Sequence, residues 1–308
     1  MTAPAVPVVP VESVVPRPRG TVRQRMRGIA MFVAAFALIA VVWEMYKNIG
    51  PQEGGSIFGI RVFPRTSALA MPHVWEMASR LTEPEVRGTP DSVLWVVITA
   101  TWYSFRVALL AFVMGTLLGL GLAVVMARFK IVERAIMPYL VLSQTVPIIV
   151  LGPLVLSLLA YASRELATEA WIAAVVLGVF LAFFPVALGA LRGLQSAPPA
   201  ALELMDSYAA GWWRTLVKLR FPAAVPFIAP ALRVAGAAAV VGVVVSEISL
   251  GVKPGVGRKI FAYGQEASSD PAKLYAAVLG AAVLGLLMSF IVVAIDRRRM
   301  RNRPQEIT

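Results

Sequence analysis

Few residues in this chain are equipped for chemistry, and their placement narrows what that chemistry is. The 308 residues include no cysteine and one histidine, His73. Thiolate nucleophiles, disulfides and Cys-based metal sites are therefore excluded, and no metal ligand set is assigned. No G-x-x-x-x-G-K-[S/T] run occurs; "GVKPGVGRK" at 251–259 lacks the Ser or Thr of a phosphate loop and fits a turn. The remaining candidates are polar residues set in apolar surroundings. Glu247 lies near the end of a long apolar run, where a carboxylate is costly unless paired or hydrated; it fits a solute path or a structural pair. Ser143, Gln144 and Thr145 stand just ahead of Pro147 and Pro153, and such groups beside a helix break can hydrogen-bond a solute or a neighbouring helix. None of these has the nucleophile–base pattern of an enzyme, so no catalytic residue is assigned. A third constellation is "ALELMDSYAAGWWRTLVKLRFPAAVP", 201–226, whose Glu203, Asp206, Arg214, Lys218 and Arg220 flank a Trp212–Trp213 pair between two apolar stretches.

The elements that must hold these residues are membrane spans. Hydrophobic residues make up 58% of the chain and mean hydropathy is +0.75, well above the roughly 45–50% apolar content of soluble domains. A bilayer core of about 30 Å needs roughly 20 apolar helical residues. Six stretches satisfy this: 29–46, 107–127, 136–160, 170–191, 224–250 and 274–295. The fold class is thus all-α and polytopic, with six transmembrane helices. "SVLWVVITATWYSF" ahead of the second span fits an amphipathic approach helix, since Trp95, Trp102 and Tyr103 suit the interface. Small residues in the last span (Ala276, Ala277, Gly280, Ala281, Gly285) suit close helix packing.

The net charge of +12 belongs to topology rather than to nucleic acid, because Lys and Arg cluster beside the apolar runs. Their bias puts 1–28, 128–135, 192–222 and 296–308 in the cytoplasm, with both termini inside, as an even number of spans requires. The domain organisation that follows is a disordered basic cytoplasmic tail (1–28), a first span (29–46), an extracytoplasmic loop (47–91), a core of five spans (92–295) and a basic cytoplasmic tail (296–308). An Ala35-Phe36-Ala37 cleavage site would cut within the first apolar run, so that run is expected to remain as a span. His73 is expected to be an ordinary residue of the outer loop.

The charged insert therefore lies inside the cell, between spans four and five. Pro198-Pro199 can open a helix; Leu202, Met205 and Tyr208 share one face of it, with Glu203 and Asp206 on a flank. Ala210-Gly211 permits a turn, and "WWRTLVKLRF" forms a second short helix that Pro222 is expected to stop. The basic residues and tryptophans would also suit anionic lipid at the interface.

The same segment resembles the E-A-A-x3-G-x9-I-x-L-P signature of permease subunits of ABC importers. Glu203 takes the Glu, Ala209 the Gly, Leu219 the Ile, Phe221 the Leu and Pro222 the Pro, without a gap. Leu204 and Met205 replace the two alanines. With Ala209 in place of Gly, the left-handed turn stands either there or at Gly211. Phe221–Gly257, with Arg233, Glu247 and Gly255-Val256-Gly257, is similar to the nitrate, sulfonate, taurine and vitamin-precursor branch, and so are "SQTVPIIVLGPLVL" and "SFRVALLAFVMGTLLGLGLA". The resemblance implies a type I importer fold in the inner (plasma) membrane. It implies a homodimer with two copies of a cytoplasmic ATPase, an extracytoplasmic solute-binding protein and a small solute: a sulfonate, taurine or nitrate, alternatively riboflavin or a thiamine precursor. ATP would be used by the ATPase partner and no cofactor by this chain. Glu203, Leu204, Met205, Asp206, Tyr208, Ala209, Gly211 and Pro222 would form the ATPase-coupling segment, and Ser143, Gln144, Thr145 and Glu247 the solute path. An ion-coupled secondary transporter is the rival of another class, but it would show an inverted repeat and several buried carboxylates. A membrane-embedded enzyme is the second rival, with little here to catalyse a reaction.

Overall fold

The computed structural model describes residues 22–57, 60–163 and 169–300, and the chain divides into two compact units, Met1–Ser67 and Ala68–Thr308. In the first, α1 (Val22–Ile49) is followed by an antiparallel hairpin, β1 (Gly55–Ile57) and β2 (Ile60–Phe63), with Ser56 opposite Arg61. Thr66 Oγ1 donates to the Gly50 carbonyl at 2.9 Å and Tyr46 Oη to that of Pro64 at 3.0 Å, which fastens the hairpin to the end of α1. The hairpin has no strong local signal; the 47–91 segment was expected only as a loop. Residues 1–21 of the expected tail lie outside the described residues, and 22–28 belong to α1.

The described residues of the second unit are mainly helical, with an isolated bridge between Pro84 and Ser92: α2 (Val74–Thr82), α3 (Val93–Arg128), α4 (Lys130–Ser143), α5 (Ile148–Ala162), α6 (Ala170–Gln195), α7 (Pro199–Ser207), α8 (Trp212–Thr215), α9 (Phe221–Leu250), α10 (Val256–Glu266) and α11 (Pro271–Met300). Among the described residues, α3, α6, the run Trp212–Leu250 and Pro271–Ala294 are each long and apolar enough to cross a membrane. The bent pair α4–α5 raises the number to five. The sixth expected span, 29–46, falls on α1. Residues 296–300 of the expected second tail continue α11, and 301–308 lie outside the described residues.

Three expectations about these helices need correction. The approach helix at 92–105 is not separate, because α3 runs unbroken for 36 residues from its N-cap Ser92, whose side chain accepts from the Trp95 N–H. Nor is the third span one rod: α4 and α5 meet at 109° around Gln144–Pro147. Finally, Pro222 does not stop a short helix. A π-turn at Leu216–Arg220 joins α8 to α9 and places Pro222 in the first turn of α9, where its missing N–H is not needed.

The core lies where α3, α6 and α9 cross. It is rich in Ala and Gly: Ala108, Ala111, Ala174, Ala182, Ala235 and Ala239 are all fully buried. Lipid supplies no hydrophobic drive between helices, so close backbone approach and dispersion must hold them together. One close approach is at Gly178 and Gly242, where a Cβ on Gly242 would lie 2.8 Å from the Gly178 Cα. A second cluster, built on Met126, Leu140, Leu191, Leu194 and Leu216, closes the α7–α8 end. A third, with Val93, Val97, Tyr263, Ala276 and Ala277, seats α10 and α11 on the opposite end of α3. The small residues of the last span thus serve packing within the chain at Ala276, Ala277 and Gly280, the last lying against Val97 and Thr101.

Candidate functional site

Between α6 and α9, the two spans that pack most extensively, the chain leaves the bundle as a short projecting segment. Pro198 and Pro199 open α7, none of whose residues is buried. The helix ends in a two-bond turn: the Ala209 N–H donates to the Asp206 carbonyl at 2.9 Å and the Ala210 N–H to that of Met205 at 3.0 Å. This is the Schellman arrangement, which requires a left-handed residue between the helix and its continuation. Ala209 takes that conformation, with φ of 49°, while Gly211 has φ of −61° and caps α8. The turn therefore stays at Ala209 although the residue is not glycine.

Glu203, Asp206 and Gly211 are exposed, and so are Leu204 (56%), Tyr208 (76%), Trp213 (69%) and Val217 (61%). Met205 and Leu202 are half-buried, so only part of the expected apolar face turns inward. Trp212 is turned towards the bundle: Arg128 stacks over its ring at 5.2 Å, and Trp213 meets it edge-on at 4.8 Å. Arg220 donates from Nη1 to the Leu194 carbonyl at 3.3 Å, and Gln195 from Nε2 to Glu133 Oε2 at 3.0 Å. These contacts hold the foot of the segment while leaving its tip unpartnered within the unit.

The Ser143–Thr145 group lies in the α4–α5 break. Ser143 Oγ donates to the Leu140 carbonyl and Thr145 Oγ1 to that of Leu142, both at 2.8 Å. Gln144 Nε2 donates to Ser143 Oγ at 3.3 Å. The hydroxyls thus add to the bonding of carbonyls at the break, that of Leu142 also accepting from the Thr145 N–H at 3.0 Å, and Gln144 and Thr145 stand exposed on the surface of the unit.

Glu247 sits apart from this group. It is fully buried. Ser104 Oγ on α3 donates to its carboxylate, 2.7 Å from Oε1 and 2.9 Å from Oε2, and the Gly257 N–H donates to Oε2 at 2.8 Å. Ser104 Oγ in turn accepts from the Val256 N–H at 2.8 Å. Two first-turn N–H groups of α10, which have no partner inside the helix, are thereby satisfied by side chains from α9 and α3. A carboxylate is also favoured against the positive end of a helix. The glycines follow from this contact, because a Cβ on Gly255 would overlap the Glu247 carboxylate and one on Gly257 would lie 2.8 Å from the Glu247 Cβ. Ser104 was not singled out from the sequence, where it is one of several hydroxyls, with Thr99, Thr101 and Tyr103, in an apolar run.

Beyond the spans, α2, the 83–92 loop, α10 and the start of α11 are joined by ions. Lys259 Nζ and Tyr263 Oη both reach Glu85 Oε1 at 2.7 Å. Arg80 Nε meets Asp270 Oδ2 at 2.8 Å and Lys273 Nζ meets Glu266 Oε2 at 3.1 Å. Burial alone would raise the Glu85 carboxyl. The hydrogen bonds from Lys259 and Tyr263 and the charges of Lys259 and Lys273 outweigh it, holding the group below its ordinary value of 4.5. Burial and then the Glu85 carboxylate drive the Tyr263 phenol upward, so it remains a donor. His73 starts α2, its N–H donating to Glu76 Oε2 at 2.8 Å and its ring stacked on Trp75 at 4.0 Å.

Several apolar spans, a polar helix break and an exposed linker between packed spans define a helical membrane protein. Residues 115–301 match the family described as "Binding-protein-dependent transport system inner membrane component", and the chain belongs to that family, the inner-membrane permeases of ABC importers. Similar proteins bear this out. A probable ABC transporter permease protein of Haemophilus influenzae is 30% identical over 56% of this chain and 71% of its own length. The formylaminopyrimidine transport permease protein ThiX of Halalkalibacterium halodurans is 28% identical over 73% and 89%. The putative aliphatic sulfonates transport permease protein SsuC of Bacillus subtilis is 29% identical over 64% and 67%. The family is one of transport subunits, not of enzymes, and it works with ATPase and binding-protein partners in general.

Proposed function

We propose that this chain forms half of a homodimeric solute path with six spans, α1 included, and both termini in the cytoplasm, with 47–91 outside and 92–295 as the core. In this reading 192–222 is the coupling loop. Glu203, Leu204, Met205, Asp206, Tyr208, Ala209 and Gly211 enter a groove of the cytoplasmic ATPase, and Pro222 passes the movement into α9. One observation carries it: an exposed segment with four large apolar side chains at its surface is rigidly footed between the two most tightly packed spans. A push on that segment turns α6 and α9 together, which is what ATP-driven alternation of access needs. Ser143, Gln144 and Thr145 line the path at the α4–α5 break. Glu247 acts at the outer end of the path by holding α10 in place. The α10 side faces the extracytoplasmic binding protein.

The solute is a small molecule or anion. The relative named for aliphatic sulfonates supports a sulfonate, taurine or nitrate-like anion. The relative named for formylaminopyrimidine supports a pyrimidine or vitamin precursor, and it shares the larger part of both chains. Uptake assays with the cognate binding protein, comparing the two classes, decide between them. For the coupling role, the test is co-purification with the ATPase subunit. Glu203→Lys is expected to lower ATPase retention and transport at least about tenfold while leaving the chain's own assembly unchanged. Full retention with normal transport would remove the coupling assignment.

A further inference from the structure

On α3, Tyr103, Arg106, Val107 and Leu110 follow at i, i+3, i+4 and i+7 and so share one face. With Trp171 from the first turn of α6 they line a cleft of about 290 Å³. Arg106 is exposed there and makes no hydrogen bond or ion pair with any described residue; the half-buried Tyr103 hydroxyl makes none either. Residues 107–127 below it carry no charge. At 1.5 Å per residue they span about 32 Å, matching the hydrocarbon core, so Arg106 stands at the membrane boundary with the apolar layer beginning beneath it. A cation at that depth needs water or an anion. Among the described residues, the carboxylate beside the cleft is Glu169, and it is turned to the indole: Trp171 Nε1 donates to its Oε2 at 2.8 Å. That contact also commits the indole N–H, leaving the ring as an apolar wall.

We propose that Tyr103, Arg106 and Trp171 form a binding cleft for an oxyanion carrying an apolar tail. The guanidinium fork and the phenolic O–H supply two donors side by side that no described residue engages, and a fork of this kind matches a planar or tetrahedral oxyanion. Val107, Leu110 and the Trp171 ring supply the wall for the tail. The same chemistry arrives from two sources, a dissolved organic anion or a phospholipid headgroup, and both are within reach at this depth.

The test uses the full chain in maltoside, without ATPase, binding protein or ATP, so its result is separate from the coupling reading above. One arm measures radiolabelled butanesulfonate by equilibrium dialysis against butanol as the neutral control. The other counts dioleoylphosphatidylglycerol retained in native mass spectrometry against dioleoylglycerol. Saturable binding of either anion, weakened about tenfold to a hundredfold by Arg106→Gln, is the expected result for a charge-assisted site. Arg106→Lys should fall between the two, and Tyr103→Phe should weaken binding severalfold. Binding of the sulfonate alone assigns the cleft to a solute, and binding of the lipid alone assigns it to a headgroup. The proposal is overturned if the wild type retains neither anion above its neutral control, or if Arg106→Gln binds as the wild type does. Should Arg106→Gln elute as aggregate, the Lys and Phe variants decide in the same way.

Discussion

Ala209 holds a backbone conformation that a Cβ disfavours by about 1 kcal/mol. The two hydrogen bonds of its turn, from Ala209 and Ala210 to Asp206 and Met205, offset that cost. Ala209→Gly is therefore expected to stabilise the chain by up to about 1 kcal/mol, and Ala209→Val to destabilise it by more; denaturant midpoints in detergent measure both. The spacing of Glu203, Ala209 and Pro222 located this turn from the sequence but left its position open between Ala209 and Gly211. Local pattern alone does not decide it, because the choice depends on which carbonyls α7 frees. Ser104 shows the opposite limit. It lies 143 residues from Glu247, and nothing within either run announces that they meet.

At the level of elements, long apolar runs were legible because hydrocarbon thickness sets their length. What was not legible was how the runs bend. The α4–α5 break falls at Pro147, with hydroxyls bonding the carbonyls just before it, and continuity through Pro222 follows from a π-turn just upstream. The ionic assembly of α2, the 83–92 loop, α10 and α11 was missed altogether, since its partners come from distant segments. It has a pH signature. The Glu85 carboxyl lies below its ordinary value in the folded chain, so its contribution to stability is complete above about pH 4.5 and is lost as pH falls through the lower folded value. The stability difference between wild type and Glu85→Gln should be constant from pH 7 to 5 and shrink on further acidification; thermal unfolding across that range checks it. A difference that grew towards low pH would contradict the assignment.

For the whole molecule, the transport class was recoverable because the order of spans, linker and glycines is held in sequence, whereas the solute is not. Absence of cysteine makes the path directly testable. A single Gln144→Cys is expected to react with a membrane-impermeant maleimide from one side of the bilayer. The reactive side should change when ATP is bound by the assembled transporter. Unchanged labelling from both sides would place the break outside the path.

The Glu247–Ser104–α10 junction also restricts how such a molecule can move. It ties α3, α9 and the head of α10 at one dry point, and parting any pair strands polar groups at about 1–3 kcal/mol apiece. Those three helices must then travel as one block. The more compliant joint lies elsewhere, at the kink between α4 and α5, whose hydrogen bonds run within 140–150 rather than to another helix.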